Sequence, residues 1–400
     1  MSAHHPPFTA ESLRAPAAVG RLQTAGLAVG VVGAALCAVG YATGAGQLFH
    51  SWLLAVTLWT GVSIGCLALL MIHHLTGGAW GVVARRILEA AAGLTPLLLV
   101  LFLPLLLGLE ELYAWARPEA ADDPLLVHKA AYLNASGFLS RLVGYFAAWG
   151  ALAYLLRRLS HAQDRGADPA LSKRMGVISA PGLVVWAFVT TFAYFDWLMS
   201  LEPHWFSTIY GVYFFGGSGL SALAFLILAA LFLSRHPPMA AALAPRHFHD
   251  WGKLLFAFVL LWTYFGVSQF LITWSGNLPE EIEWYLHRTS HGWGVVAVAL
   301  ALFHFAVPFA LLLSRDLKQN ARRLAWVAGF LLLMRWLDHL WQIAPVHHPE
   351  RFVLHWLDVA APLAVGGLWL AGFAWLLRRH PILPPNDPYL EEAYGDESAH

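Results

Sequence analysis

The sequence predicts an all-α, polytopic membrane protein, and three observations support this class. Hydrophobic residues make up 58% of the 400 residues and charged residues only 12%, whereas about a quarter of the residues in soluble domains are charged. Apolar segments long enough to cross a bilayer, about 20 residues each, recur ten times. They occupy most of the chain, which excludes a sizeable soluble domain.

The spans divide the chain into three predicted parts. Residues 1–21 form a cytoplasmic N-terminal segment, 22–377 a ten-helix transmembrane domain, and 378–400 a cytoplasmic tail. The proline and acidic content of the tail predicts that it is extended or bound to a partner. In order, the predicted spans are residues 22–44, 52–72, 89–109, 136–156, 175–199, 207–233, 254–275, 291–313, 324–345 and 357–377.

The loops between the spans predict the orientation. Eighteen of the 24 Lys and Arg residues fall on the side that both termini share, four fall on the opposite side, and Arg141 and Arg335 lie within spans. The opposite loops are instead acidic and aromatic, as in residues 107–123 and 277–288. Because cytoplasmic loops are enriched in Lys and Arg, both termini are predicted to be cytoplasmic.

A short internal repeat indicates how the spans are grouped. The segment DWLMSLEP (196–203) ends span five and DHLWQIAP (338–345) ends span nine, and both helices run in the same direction. An eight-residue match can also arise by chance. If the repeat is real, spans two to five (about 52–203) and six to nine (about 207–345) form two parallel four-helix bundles, with spans one and ten outside them.

Span nine carries the most unusual pattern in the sequence. Arg335, Asp338, His339 and Gln342 are spaced i, i+3, i+4 and i+7, which places them on one helix face. A charged group near the bilayer centre costs roughly 2.5–3.5 kcal/mol even on a lenient scale. A structural ion pair is one explanation. The added imidazole, which titrates near neutrality, favours a hydrated polar pocket that opens toward the outer side.

Further ionisable residues extend this hypothesis toward both sides of the membrane. Asp196 occupies the position in the first repeat that matches Asp338, and Arg141 reaches the same level from the outer start of span four. Candidates for the inner half of a proton path are His73, His74, Glu89 and His304. The alternatives are an interfacial cap for the histidine pair and ordinary packing for His304. Gln269 in span seven suits interhelical hydrogen bonding.

The sequence predicts that this chain binds no metal or haem. The two cysteines, Cys37 and Cys66, lie inside spans, and neither a CxxC nor a CxxCH motif occurs. His291 and His304 share span eight, but no second helix offers the matching pair of histidines that a haem b bundle needs.

Two long runs resemble a known family. Residues 191–219 (TFAYFDWLMSLEPHWFSTIYGVYFFGGSG) and 265–288 (FGVSQFLITWSGNLPEEIEWYLHR) are similar to the F-type membrane subunit of bacterial alternative complex III, within the polysulfide-reductase NrfD-like family. The resemblance extends over essentially all ten spans and implies a fold of ten helices in two bundles. The positions that match the family's motifs are Asp196, Glu202, His204, Gln269 and Glu280.

The resemblance also implies a function and a set of partners. The chain is expected to be a membrane subunit of a respiratory or photosynthetic quinol:cytochrome c oxidoreductase in a bacterial cytoplasmic membrane. The implied partners are the NrfD-like C subunit, an iron–sulfur subunit, c-type cytochrome subunits, small membrane subunits and lipids, with no nucleic acid. Catalysis, the iron–sulfur clusters and haem c are expected in those partners, and quinone binding by this chain is left open.

Two other classes of protein compete with this interpretation. A self-contained secondary transporter is favoured by FFGGSGLS (214–221), where the glycines could break a helix near mid-membrane. Close helix packing through small residues explains the same run. The third class is a purely structural anchor for peripheral electron-transfer subunits.

Overall fold

The computed structural model describes residues 13–394, and all regular secondary structure among them is helical. Nine helices in this part of the chain are long and apolar enough to cross a membrane. The predicted all-α, polytopic class is therefore confirmed.

Ten long helices, labelled here α1 to α10, correspond in order to the ten predicted spans. They are α1 (Ala17–Thr43), α2 (Ala45–Thr76), α3 (Arg85–Leu112), α4 (Ala135–Gln163), α5 (Pro169–Trp197), α6 (Tyr210–Leu233), α7 (Pro245–Gly276), α8 (Trp293–Leu313), α9 (Ala321–His347) and α10 (Leu357–Leu377). Short helices cover Ala79–Val82, Ala114–Ala116, Pro118–Asp122, Pro124–Lys129, Met199–Leu201, Met239–Ala242, Pro279–Thr289, Arg315–Gln319 and Leu390–Tyr394.

Of the ten long helices, α9 is the one that is not among the nine apolar enough to count as membrane spans. Its 27 residues exceed the length needed to span a bilayer. It carries Arg322 and Arg323 at one end and Arg335 and Asp338 in its middle, so its composition is too polar. The count of nine rather than ten therefore reflects the polar residues of α9, not a missing helix.

Helices α2 and α6 form the centre of the molecule. Helix α2 packs against α3, α5, α6 and α10, and α6 packs against α2, α5, α7 and α9. A Cβ atom on Gly65 of α2 would lie 2.1 Å from the carbonyl oxygen of Ser218 on α6. The two central helices approach this closely only because position 65 has no side chain.

Helices α1 and α10 pair with each other outside this centre. Gly20 lies near Arg378 and Gly40 near Leu357, so the two helices are antiparallel. Both ends of the described chain therefore lie on one face, called here the terminal face, and the opposite face is called the distal face. The outward side of α1 is apolar, with Val31 57% and Val32 60% exposed, as expected of a surface in contact with lipid.

The interior of α8 departs from regular α-helix. Residues Leu300–Ala306 form a π-helical segment, in which the Val307 N–H donates to the carbonyl oxygen of Leu302. Pro308 follows directly and has no N–H to offer the carbonyl of His304. Short π-helical segments are frequent at functional sites, and this one contains the buried His304.

As far as residue 394 the tail packs against the helices, so the prediction of an extended tail is wrong there, and binding of the tail to a partner stays a prediction. Ile382, Leu383 and Leu390 are buried, and the Ile382 N–H donates to the carbonyl oxygen of Leu13 at 2.9 Å. Apolar residues within the proline-rich segment cover the terminal face of the helices, which hydropathy averaged over a short polar tail does not reveal. Residues 1–12 and 395–400 lie outside the described part.

Candidate functional site: buried polar networks across the helices

The α9 stripe, defined as Arg335, Asp338, His339 and Gln342, is fully buried. Each of its four side chains is at most 2% exposed. Arg335 Nη1 donates to Asp338 Oδ2 in an ion pair, and the Tyr213 hydroxyl on α6 donates to Asp338 Oδ1 at 2.5 Å. The predicted clustering of these residues on one helix face is present, and both carboxylate oxygens of Asp338 have a donor.

Helix α6 supplies the other side of this network. The Tyr210 hydroxyl donates to Gln342 Oε1 at 3.0 Å. A Cβ atom on Gly217 would lie 2.3 Å from Arg335 Nη2, so the missing side chain makes room for the guanidinium group. The glycine run FFGGSGLS lies within the continuous helix α6. The packing explanation of the glycines is thus supported, and the broken helix that favoured a transporter is absent.

Two buried imidazoles, His339 within the stripe and His304 beside it, each have at least one ring nitrogen with no partner among the described residues. His339 Nδ1 lies 2.8 Å from the carbonyl oxygen of Arg335 and must donate to it, which leaves Nε2 without a hydrogen. His304 is 0% exposed, and its ring centroid lies 3.8 Å from that of Trp262, which also packs against Tyr213. His304 therefore lies beside aromatic residues that adjoin the α9 stripe, and its role in the inner half of a proton path stays a prediction.

Asp196, which the sequence made a candidate for the same polar pocket as Asp338, forms a separate network. Arg141 Nε donates to Asp196 Oδ2 at 2.7 Å, and Arg141 Nη2 donates to Oδ1 at 3.1 Å. The Tyr145 hydroxyl also donates to Oδ2 at 2.7 Å. An aspartate thus pairs with an arginine and a tyrosine in both halves of the chain. Here both partners come from α4, whereas Asp338 takes its partners from α9 and α6.

The three remaining inner candidates lie at the terminal face. His73 is 3% exposed, and its ring centroid lies 5.4 Å from that of His74. Glu89 sits in an ion cluster at the start of α3. Between Ser63 and His73, residues 64–72 of α2 carry no polar side chain other than a buried thiol. The structure thus does not bring the inner candidates into contact with the α9 stripe.

Glu89 belongs to what we call the terminal-face cluster, formed by Arg85, Arg86, Glu89, Asp164 and Asp387. Glu89 Oε1 accepts from Arg85 Nε at 3.1 Å and Oε2 from Arg86 Nη1 at 2.6 Å. Arg85 also donates to Asp387 of the tail at 2.5 Å, and Arg86 pairs with Asp164. Sequence reasoning counted both arginines as loop residues, yet they are only 0% and 3% exposed. The folded tail, which hydropathy cannot position, is what buries them.

A second polar group at the distal face was also missed. The rings of His50 and His347, called here the distal histidine pair, stack with centroids 3.1 Å apart. Both rings have nitrogen atoms without a partner among the described residues. Asp358 lies nearby and accepts from the Ser51 hydroxyl at 2.6 Å. The usable signal was a polar residue at the distal end of each of three helices, α2, α9 and α10.

The family-motif residues Glu202 and His204 occupy the distal surface. His287 Nδ1 lies 2.8 Å from Glu202 Oε1, and Arg288 Nη1 lies 2.5 Å from Oε2. Although burial opposes it, the charges and hydrogen bonds of Arg288 and His287 lower the pKa of Glu202. The hydrogen bond that His287 donates to Glu202 raises the pKa of His287. His204 contacts Asp123 at 2.7 Å, and Glu280 is solvent-exposed.

Gln269, the remaining motif residue, lines a cavity between α7 and α8. The cavity has a volume of about 680 Å³. It reaches Gln342 of the α9 stripe and Tyr213, the α6 residue that contacts the stripe. Its walls are mainly aromatic and aliphatic. Gln269 is 6% exposed. Its side chain therefore faces an internal space. The interhelical hydrogen bonding predicted for Gln269 stays a prediction.

The fold and these networks define the chain as a multi-pass, α-helical membrane protein with ionisable side chains buried between its helices. No protein-family model matches the chain, and no curated protein matches it. Within residues 13–394, no three His, Cys, Asp or Glu side chains are grouped to hold a metal ion. The absence of a cofactor remains a prediction.

Proposed function

We propose that this chain is a membrane subunit of a quinol:electron acceptor oxidoreductase of the alternative complex III type, and that the α9 stripe forms the outer half of a proton pathway. In this proposal, partner subunits carry the iron–sulfur clusters, haem c and the catalytic steps. The chain lies in a bacterial cytoplasmic membrane with its terminal face in the cytoplasm. The assignment to such a complex rests on the resemblance of residues 191–219 and 265–288. The observation that carries the proton pathway is the buried Tyr213–Asp338–Arg335 network with its two adjoining imidazoles.

The composition of this network favours proton movement over simple helix attachment. A structural pair needs one acid and one base, and Arg335 with Asp338 already satisfies that need. His339 Nε2 and the nitrogens of His304 add buried sites without a partner among the described residues. Ionisable side chains inside membrane spans mark proton relays in many pumps and transporters. A neutral imidazole has one ring nitrogen that can accept a proton and one that can donate it.

The distal histidine pair offers the continuation toward the outer side. His347 follows His339 by eight residues on α9, or about 12 Å at the helical rise. It stacks on His50 beside Asp358 and His348. The route we propose therefore runs from the α9 stripe to the distal face. On the other side, residues 64–72 of α2 separate the stripe from the terminal-face cluster.

The test measures protons released per electron by the whole complex in vesicles. Tyr213→Phe removes only the hydroxyl that donates to Asp338 and leaves the ion pair with Arg335 intact. The matched control is Tyr145→Phe, which removes the equivalent hydroxyl from Asp196. We expect Tyr213→Phe to lower the proton-to-electron ratio and Tyr145→Phe to leave it unchanged. A wild-type ratio in both variants would contradict the proton pathway.

Purification in mild detergent tests the assignment to a complex independently of proton movement. We expect the tagged chain to bring partners that carry haem and iron–sulfur clusters, while the chain separated from them shows no haem Soret band. A transporter would instead purify alone. A complex whose partners remain but whose proton ratio is insensitive to every stripe variant would indicate the purely structural anchor.

A further inference from the structure

From its shape and chemistry, we infer that the cavity between α7 and α8 is a binding site for an uncharged, chain-bearing membrane molecule whose head carries carbonyl or hydroxyl oxygens. The inference rests on the cavity itself and does not depend on the function proposed above. Its volume of about 680 Å³ lies within the range of about 300–1,000 Å³ that is typical of small-molecule sites.

Small residues on facing helices create this space. Gly266 on α7 lines one wall, and Gly294, Ala297 and Ala301 line the other at spacings of three and four residues, which is one face of α8. The π-helical segment continues that wall through Leu300 and Phe305. The cavity is therefore specified by the sequence and by the backbone of α8, rather than left by loose packing of large side chains.

The mouth of the cavity faces the membrane. Val267 on α7 is 49% exposed and Val298 on α8 is 59% exposed, and both line the cavity. Apolar side chains on the outer surface of a membrane helix face lipid. A ligand would thus enter sideways from the bilayer, which requires it to be soluble in lipid.

The walls define the chemistry of the ligand. None of the described residues that line the cavity is charged, which disfavours the anionic or zwitterionic headgroup of a phospholipid because a buried charge needs a partner. Trp284 and Trp341 provide flat aromatic walls. Gln269 and Tyr285, which carry an amide and a hydroxyl, also line the space. Amides and hydroxyls are suitable partners for carbonyl or hydroxyl oxygens.

Photolabelling of the purified full chain in lipid nanodiscs tests the site. The probe is a photoreactive quinone with a ten-carbon tail, and the competitors are unlabelled quinone, diacylglycerol and phosphatidylglycerol. We expect saturable labelling of residues 262–270 or 294–305. Unlabelled quinone and diacylglycerol should both displace the probe. The one that does so at the lower concentration is the better ligand, which distinguishes a quinone from a neutral lipid. Displacement by phosphatidylglycerol alone would overturn the inference.

Four variants make the test specific. Ala297→Phe, and Ala301→Phe at the mouth as a second variant, should fill the cavity and weaken labelling at least about ten-fold, a change of about 1.4 kcal/mol. Ala257→Phe alters an exposed alanine of α7 outside the cavity and should have no effect. Gln269→Leu should weaken labelling several-fold. Unchanged labelling in the cavity-filling variants would overturn the proposed site. Unchanged labelling in Gln269→Leu would overturn the oxygen-bearing head of the ligand.

Discussion

Removal of the negative charge of Asp338 should reveal how strongly the α9 stripe depends on its ion pair. Asp338→Asn keeps the shape of the side chain and an oxygen that can accept from Tyr213, but leaves Arg335 charged. Arg335 is 1% exposed and cannot turn toward water. Breaking a buried pair by removing one partner costs about 3–5 kcal/mol. We therefore expect the free energy of unfolding to fall by about that amount.

Two further variants separate lost charge balance from lost contacts. Arg335→Met combined with Asp338→Asn removes both charges, and should recover most of the loss because no unpaired charge remains. Asp196→Asn is the matched control, since the side chain of its partner Arg141 is 21% exposed and can reach polar surroundings. Its cost should lie between the value of about 1 kcal/mol for exposed pairs and the 3–5 kcal/mol of buried ones.

Reversible unfolding in mixed detergent micelles, followed by far-ultraviolet circular dichroism, measures these free energies. The reasoning is refuted if Asp338→Asn unfolds like the wild type, or if the double variant is no more stable than Asp338→Asn alone. Either result would mean that Arg335 is solvated or paired elsewhere in the folded protein. The result also decides how the proton test is designed, because an unstable Asp338→Asn complex could not report on proton movement.

Three other perturbations follow from the contacts, and thermal unfolding of the detergent-solubilised chain measures each one. Gly217→Ala should destabilise the protein by about 1–3 kcal/mol, because the new Cβ would lie 2.3 Å from Arg335. Gly329→Ala should instead stabilise it by about 0.5–1 kcal/mol, because the nearest neighbour of its Cβ would be 3.9 Å away. Equal effects would show that Arg335 moves freely. The raised pKa of His287 means that its contribution to stability is complete below its ordinary pKa of 6.5 and is lost as the pH rises through the raised value. Stability should therefore fall as the pH rises above 6.5 in the wild type and fall less in His287→Gln; parallel curves would contradict this. Asp387→Asn should lower stability by several kcal/mol, roughly as for other buried pairs, because Arg85 is 0% exposed; a stability equal to that of the wild type would show that the tail does not neutralise Arg85.

The sequence by itself determined the helical class, the ten long helices and the face of α9 that carries Arg335, Asp338, His339 and Gln342. These features follow from local rules. A backbone in lipid must satisfy its hydrogen bonds internally, and helical geometry fixes which residues share a face. The spacing of the α9 stripe therefore could not lead to another arrangement once α9 formed.

Only the tertiary structure decided which partners those residues meet. Asp196 and Asp338 begin similar eight-residue segments, yet one pairs with Arg141 and the other with Arg335. The choice depends on how neighbouring helices are rotated and how closely they approach, as the contact between Gly217 and Arg335 illustrates. Burial of Arg85 by the returning tail likewise joins residues 302 positions apart. Hydropathy and periodicity act over a few helical turns, so they carry no information about such distant contacts.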